Sequence, residues 1–369
     1  MKKNNPVVIV GIVLIIRNII KILFSDFDVV FFSENKRYQS IFKDLIIELS
    51  RYNKKIIYLS SDINDTLSIN GIKSFYIGNG FLRDVILQSL NCKLVIMTLT
   101  DLGYHQIKKS KNVKKYIYLF HGIVGGYSKT AFHNYDIILS PSKYHNNLVN
   151  LNNKEKFKKV IINTGYLYFD YLKKNINNNY NAKTILIAPS WSRAYKNFIN
   201  EDFDKIIKFL LDKDFEVIFR PHPEHYKRST NFLSHLKSKY LSRKLKFDNN
   251  VSNIDSFNSS CLLITDFSGI ALEFSLSCHR YSIYINDNSS KHMNQKEINY
   301  LEENFKKNFS YNCDFKDFFE NFDYFFKNNI LDKQKLLDFA KNNFFNYEKN
   351  ISKISAEEIN KILKVFNDN

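Results

Sequence analysis

The sequence predicts an α/β protein built from two Rossmann-like domains, and three observations carry that prediction. Short apolar runs of strand length recur along the chain with helical patterns between them. Those runs are apolar almost throughout rather than alternating, which is the signature of strands buried on both faces of a parallel sheet. The alternation stops once, at the polar, Asn-rich stretch "KKNINNNYNAKT" (Lys173–Thr184), and then begins again. A chain of 369 residues favours two cores over one. With 44% apolar and 15% aromatic residues it has the material to fill them and is no disordered chain.

In chain order the first half offers strands at "DVVFFSE" (Asp28–Glu34), "KKIIYLS" (Lys54–Ser60), "KSFYIG" (Lys73–Gly78), "KLVIMT" (Lys93–Thr98), "KYIYLFHG" (Lys115–Gly122) and "YDIILSPS" (Tyr135–Ser142). Helical patterns such as "RYQSIFKDLIIELSRYN" lie between several of them. After the Asn-rich break come "TILIAPSW", a helix "EDFDKIIKFLLDKD", "FEVIFRPHP", a further helix, "KLKFDNN", "SCLLITDFSG", a short helix "IALEFSLS" and "RYSIYIN". The tail from Gln295 reads as helices only, with "EEINKILKVFN" amphipathic. The expected division is a segment 1–25 that is a membrane-surface helix or a first structural element, an N-terminal Rossmann-like domain over 26–175, a C-terminal Rossmann-like domain over 183–330, and closing helices over 331–369. Two Rossmann-like domains with a cleft between them are the GT-B arrangement, in which ligands bind at the carboxyl ends of the strands.

Residues 6–24, "PVVIVGIVLIIRNIIKILF", are apolar except for Arg17, Asn18 and Lys21. As a helix they would extend roughly 28 Å, near the hydrocarbon thickness. Arg17 and Lys21 would each cost about 2.5–3.5 kcal/mol at mid-bilayer. The narrow polar stripe suits a helix lying on an anionic membrane surface; the alternatives are a buried first element and a true span. No small-residue cleavage site follows, which argues against a secretory signal.

The formal net charge is +17, and a basic surface attracts phosphates in nucleic acid, lipid or nucleotide. Two clusters contribute, "KKSKNVKK" (Lys108–Lys115) and "KSKYLSRKLK" (Lys237–Lys246). Neither sits in a zinc-finger spacing, an RNP-like strand or a basic region with heptads, so nucleic acid is not the expected partner. The clusters read either as solvated helix faces or as contacts for a membrane surface or polyanion. The four cysteines are too far apart for a CxxC pair and read as buried thiols in a reducing compartment.

Four motifs fall at strand ends. In "YLFHGIVGGYSK" a strand stops at His121, whose imidazole suits a general base, and Gly122 allows a ligand close to the backbone. In "IAPSW", Ser190 offers a hydroxyl and backbone donors to a phosphate. In "VIFRPHPEHY", the two prolines fix the backbone around His222. Arg220 there offers a fork of donors for phosphate oxygens, and His222 suits contact with a phosphate or protonation of a leaving group. His225 and Lys227 read as solvent-facing. In "LITDFSGIALEFSL", Thr265, Asp266, Ser268 and Gly269 build a strand-to-helix turn expected to form part of the donor-phosphate site. Ser268 is expected to cap the helix and face an anion, Asp266 to order the loop, and Glu273 to hydrogen-bond a ribose or base. No metal-ligand spacing is visible and no cofactor is expected, although Mg2+ is an ion such a site could recruit.

Taken together, "FFSENKRYQS", "HG" followed by a lysine, "AFHNYD", "TGYLYFDYL", "APSW", "RPHP" and "TDFSGIALEF" resemble, in that order, the CDP-glycerol glycerophosphotransferase family of teichoic-acid and capsule polymer synthesis. The resemblance implies a GT-B fold, transfer from a CDP-activated alditol phosphate to a membrane-linked glycan or polyol-phosphate acceptor, and peripheral attachment at the cytoplasmic face of the membrane. By position His121 matches the family's proposed base, and Arg220, His222 and the Ser268–Gly269 turn match its phosphate-binding loops. The family often carries two adjacent serines where this chain has Ser268 and Gly269. Two other readings stand beside it: a GT-B glycosyltransferase using a nucleotide sugar, CMP-sialic acid included, and a non-catalytic module that binds polyanions.

Overall fold

The computed structural model describes residues 22, 26–104, 107–125, 127–128, 130–152, 159–177, 179–191, 201–241, 243–266, 268–286, 300–328 and 331–366. The apolar segment read at 6–24 therefore lies outside the described residues, Ile22 excepted. Among the described residues no helix is long and apolar enough to cross a membrane. The chain divides into two units, the first comprising the described parts of 26–121, 127–171 and 343–366, the second those of 122–126 and 172–342.

The first unit is a parallel sheet of β1 (Phe27–Ser33), β2 (Ile56–Ser60), β3 (Lys73–Tyr76), β4 (Cys92–Met97), β5 (Val113–Leu119), β6 (Ile137–Ser140) and β7 (Val160–Asn163). Its strand order is β3-β2-β1-β4-β5-β6-β7, so the direction of winding reverses between β1 and β4. Val29, Val30 and Phe31 of β1 are wholly buried, as continuous apolar strands require when helices cover both faces. Helix α1 (Gln39–Ser50) buries Ile41, Phe42, Leu45, Ile46 and Leu49, an i, i+4 stripe that seats it on the sheet.

The second unit is a parallel sheet of β8 (Asn181–Ile187), β9 (Glu216–Phe219), β10 (Leu245–Phe247), β11 (Ser260–Thr265), β12 (Ser282–Asn286) and β13 (Ser310–Asp314), in the order β10-β9-β8-β11-β12-β13. Its core gathers Ile185, Ile187, Val217, Phe219, Leu262 and Ile264 from the strands with Phe203, Ile207 and Leu210 from the helix Glu201–Asp212. Two strands depart from the sequence reading. β13 lies where only helices were expected, because "SYNCD" has no apolar run; it adds to the β12 edge with Cys313 its one buried residue. β7 was not expected either: "VIIN" is an edge strand with exposed ends, too short to stand out.

The closing segment, read as one block over 331–369, is shared between the units. The chain returns to the first unit at Asn343, where Phe345 N donates to Pro141 O at 2.9 Å. The last helix, Ile351–Val365, packs on α1. Asp170, 6% exposed, accepts the amides of Ile351 at 3.3 Å and Ser352 at 2.7 Å, and Asn350 caps Lys353 at 2.8 Å. Three of the four amides left open at that helix start are thus met by side chains. Gly165 (φ +113) is fixed by the same return, since a Cβ there would come 2.5 Å from Phe345 O. The motif "TGYLYFDYL" therefore docks the C-terminal helix.

The second basic cluster is largely paired within its own unit, and part of the first is. Lys239 pairs with Asp204, Arg243 with Asp212 at 2.8 Å, Lys244 with Asp214 at 2.9 Å and Lys246 with Glu216 at 3.7 Å. In the first unit Lys109 and Lys115 share Asp136 at 3.3 and 3.8 Å. Such pairs add little stability.

Candidate active site

In the first unit β5 stops at Leu119 and His121 follows, half-buried. Its Nδ1 lies 3.1 Å from the carbonyl of Thr98 at the end of the neighbouring β4. A carbonyl oxygen can only accept, so Nδ1 carries the hydrogen and the lone pair sits on Nε2. The ring of Tyr38 meets the imidazole edge-on, with centroids 5.2 Å apart. Burial lowers the His121 pKa below its usual value, opposed in part by the Thr98 bond. The result is a neutral imidazole held in one tautomer with a basic Nε2, which is what a general base needs. Gly122 follows it, half-buried; a Cβ there would lie 3.3 Å from Val124 O.

In the second unit β9 ends at Phe219 and the "RPHP" turn opens a short helix, Pro223–Arg228. Pro223 stands in its first turn, where a missing N–H costs nothing. His222 is the N-cap: its Nδ1 accepts the Glu224 amide at 3.3 Å. That leaves the hydrogen on Nε2, so exposed His222 is a donor, and it stacks on Trp191 with centroids 6.2 Å apart. Arg220 is engaged inside the unit. Its Nη1 meets Asp248 Oδ2 at 2.6 Å and its Nη2 meets Val251 O at 3.3 Å, while Ser256 Oγ donates to the same Asp248 oxygen. The arginine fixes the turn after β10, and this commits part of the fork that was expected to take phosphate.

His225, expected to face solvent, is instead buried, and its Nε2 donates to Ser190 O at 2.8 Å. Lys227 is exposed as expected and pairs with Glu224 at 2.7 Å. The Ser190 amide donates to Asp266 Oδ1 at 2.8 Å, so the backbone of "APSW" is held from both sides. What Ser190 can offer an anion is its hydroxyl, not its N–H. Asp266 thereby orders the loop, and burial raises its pKa.

Thr265 is fully buried and its Oγ1 donates to Ala188 O at 2.7 Å. It ties the ends of β11 and β8 together rather than facing a ligand. Ser268 does not cap the helix Ile270–Cys278: the cap residue is Gly269, and Ser268 Oγ accepts only the Ile270 amide, at 3.4 Å. The helix begins one residue later than its serine signal. Glu273 lies half-buried in its first turn. Glycine at 269 has a steric reason, since a Cβ there would come 2.8 Å from Val124 Cγ2 and 2.9 Å from Ile123 Cγ2, within the same unit.

Other residues at these loops escaped the sequence reading. Arg228 lies 5.2 Å over the Trp191 ring. Behind the Ser268 turn, Tyr284 OH donates to Ser268 O at 3.4 Å and Lys306 Nζ sits 4.5 Å from the Tyr284 ring. Lys306 in turn lies 3.6 Å from Glu302, a wholly buried carboxyl pushed up to about 7 by burial. An i, i+4 Glu–Lys pair in "YLEENFKKNF" looks like an exposed helix face, and nothing in the sequence marks it as interior.

Two parallel Rossmann-type sheets, with chemistry-bearing residues on the loops after their strands, define an α/β protein of the GT-B class. The chain belongs to the CDP-glycerol:poly(glycerophosphate) glycerophosphotransferase family, whose family model matches residues 22–355. The minor teichoic acid biosynthesis protein GgaB of Bacillus subtilis (strain 168) is 24% identical over 191 residues, covering 43% of this chain. The chain spans only 20% of the length of that relative. The wall teichoic acid polymerase TagF matches with a TM-score of 0.59 at 16% identity over 93% of this chain and 90% of its own; a second TagF structure was obtained with CDPG. The UDP-GlcNAc 2-epimerase of Methanocaldococcus jannaschii matches with a TM-score of 0.52 at 15% identity, over 92% of this chain and 100% of its own. At these identities the solved structures establish the shared fold.

Proposed function

We propose that this protein moves a glycerol-phosphate or related alditol-phosphate group from a CDP-activated donor to a hydroxyl of a membrane-linked glycan or polyol-phosphate acceptor, during synthesis of a teichoic-acid-type surface polymer. The observation that supports it most is His121, with Nδ1–H fixed on the Thr98 carbonyl and Nε2 left as a base, in a chain of the glycerophosphotransferase family. The acceptor oxygen attacks the β-phosphorus of the donor. A new O–P bond forms, the bond from that phosphorus to the bridging oxygen breaks, the acceptor proton passes to Nε2, and CMP leaves with the bonding electrons. The Nε2–H of His222 donates to the donor phosphates, with the hydroxyls of Ser190 and Ser268 as further donors. Arg220 holds the "RPHP" turn through Asp248 while its remaining N–H groups serve the same anion.

The reading invokes no resident cofactor, and it places the protein peripherally at the cytoplasmic face of the membrane through residues 1–25. CMP release measured with CDP-glycerol, CDP-ribitol, CMP-sialic acid and UDP-sugars, with and without Mg2+ or EDTA, tests it. Turnover of CDP-glycerol that disappears in His121→Ala supports it. Turnover of a UDP-sugar alone, or unchanged turnover in His121→Ala, refutes it.

A further inference from the structure

We infer that Glu34 is an acceptor-binding residue whose carboxylate takes the two hydroxyls of a vicinal diol at the β1–β4 switch point of the first unit, beside Tyr38 and His121. This rests on the transfer reaction proposed above and names the part of the acceptor that is recognised.

The position comes from topology. Strand order in the first unit reverses between β1 and β4, and ligands of open α/β sheets bind outside the carboxyl ends of the strands at such a reversal. Glu34 directly follows β1, which ends at Ser33. Register places the flanking ends beside it: Ser61 N donates to Ser33 O at 3.0 Å, and Phe32 pairs with Met97, one residue before Thr98. His121 is joined to that same Thr98.

The carboxylate is both enclosed and unspent. Glu34 is half-buried, yet among the described residues no hydrogen bond or ion pair reaches it. Arg83, the cation whose field acts on it, gives its guanidinium to Asp84 at 2.7 Å. Burial raises the Glu34 pKa in spite of that cation. The hydroxyls of Ser61 and Thr98, on residues 2% and 1% exposed, are likewise without a partner among the described residues. A fold rarely leaves such groups unanswered unless a ligand or water completes them.

The local backbone holds this arrangement in place. Ser33 Oγ donates to Asn35 O at 2.7 Å, and Asn35 Oδ1 accepts the Arg37 amide at 3.0 Å, capping the 3-10 turn Lys36–Tyr38. That turn ends at Tyr38, whose ring meets His121. Glu34 and the base are therefore tied to one rigid corner of the fold.

The chemistry selects the ligand. An ionised carboxylate accepts only, and its two oxygens match two adjacent hydroxyls. It repels phosphate, so it reads the uncharged polyol end of a ligand and not a diphosphate, and the acceptor KM in turnover separates the acceptor's diol from that of the donor's own glycerol. A glycerol-phosphate chain end presents such a diol.

Binding of glycerol 3-phosphate and of 3-hydroxypropyl phosphate, which lacks the middle hydroxyl, to the full-length protein tests this by calorimetry or saturation-transfer NMR. Wild type is expected to favour the diol by ~10–100-fold, the worth of a hydrogen bond to a charged group, and Glu34→Ala to lose that preference. The volume-matched Glu34→Gln, with its melting temperature as a folding control, gives the same answer should the alanine variant unfold. Equal affinity of wild type for both probes, binding of neither, or an undiminished preference in the variants overturns the inference. In turnover, acceptor KM should rise in Glu34→Gln more than kcat falls. A protein that binds the diol through Glu34 but releases no CMP from CDP-glycerol refutes the transfer reading and leaves Glu34 standing. One that releases CMP with an acceptor KM unaltered by Glu34→Gln refutes Glu34 alone.

Discussion

Replacing Asp170 with alanine should destabilise the first unit without touching its chemistry. The carboxylate, 6% exposed, accepts two amides at the start of the C-terminal helix, at 2.7 and 3.3 Å. Hydrogen bonds to a charged group are worth about 1.5–3 kcal/mol each. With the longer bond counted at the low end, the loss is about 3–4 kcal/mol, and water cannot easily compensate because Ile351 and Ser352 are themselves buried. Asn350→Ala, which removes an exposed cap at the same helix end, should cost only about 1 kcal/mol. Urea unfolding followed by circular dichroism gives the totals. Amide exchange resolves the site: protection at Ile351 and Ser352 should fall by roughly two to three orders of magnitude, at about 1.4 kcal/mol per tenfold. Should Asp170→Ala lie within ~0.5 kcal/mol of wild type, or Asn350→Ala cost more, the docking role assigned to "TGYLYFDYL" is wrong.

Further outcomes follow from the same geometry. Burial lowers the His121 pKa, so its neutral, basic form persists below the usual imidazole range and is lost only as pH falls through the lowered value. The acid limb of kcat/KM should therefore lie below 6.5, and a limb at or above that pH would remove His121 as the base. Arg220→Ala leaves Asp248, 8% exposed at its side chain, without its cation; it should lower stability by about 3 kcal/mol and weaken CDP binding, as calorimetry would reveal. Gly269→Ala forces Val124 and Ile123 to shift, and we expect lowered thermal stability by calorimetric scanning, with wild-type behaviour counting against the steric reason given. Deleting residues 1–25 should release the protein from vesicles of anionic lipid in a flotation assay; retention would place the anchor elsewhere.

Much of the sheet architecture could be read from the sequence because buried parallel strands announce themselves: "DVVFFSE" and "SCLLITDFSG" have no polar face to confuse the pattern. Two of the four edge strands, β7 and β13, do not, although β3 and β10 at the opposite edges were legible. β7 and β13 bury little, and their pairing is decided by the neighbouring strand rather than by their own residues. At the site, the glycines, prolines and histidines marked the right loops, but composition could not show which hydrogen bonds were already spent. Thr265 and the Ser190 amide turned out to be committed inside the fold, and His225 is turned inward, where it donates to Ser190 O. Glu34 carries no signal in its motif, since a lone carboxylate gains meaning only from the strand order around it.

The return of the chain at Asn343 sets an order of events during synthesis. The second unit is built almost wholly from one continuous stretch, Leu172–Asn342, whereas the first lacks the helix Ile351–Val365 until the ribosome has passed through all of it. Domains tend to fold as they emerge, so the first unit must wait with α1 uncovered and the Asp170 carboxylate unengaged while the second is made. A nascent chain stalled after residue 342 would then hold every strand of both sheets and still lack the helix that packs on α1.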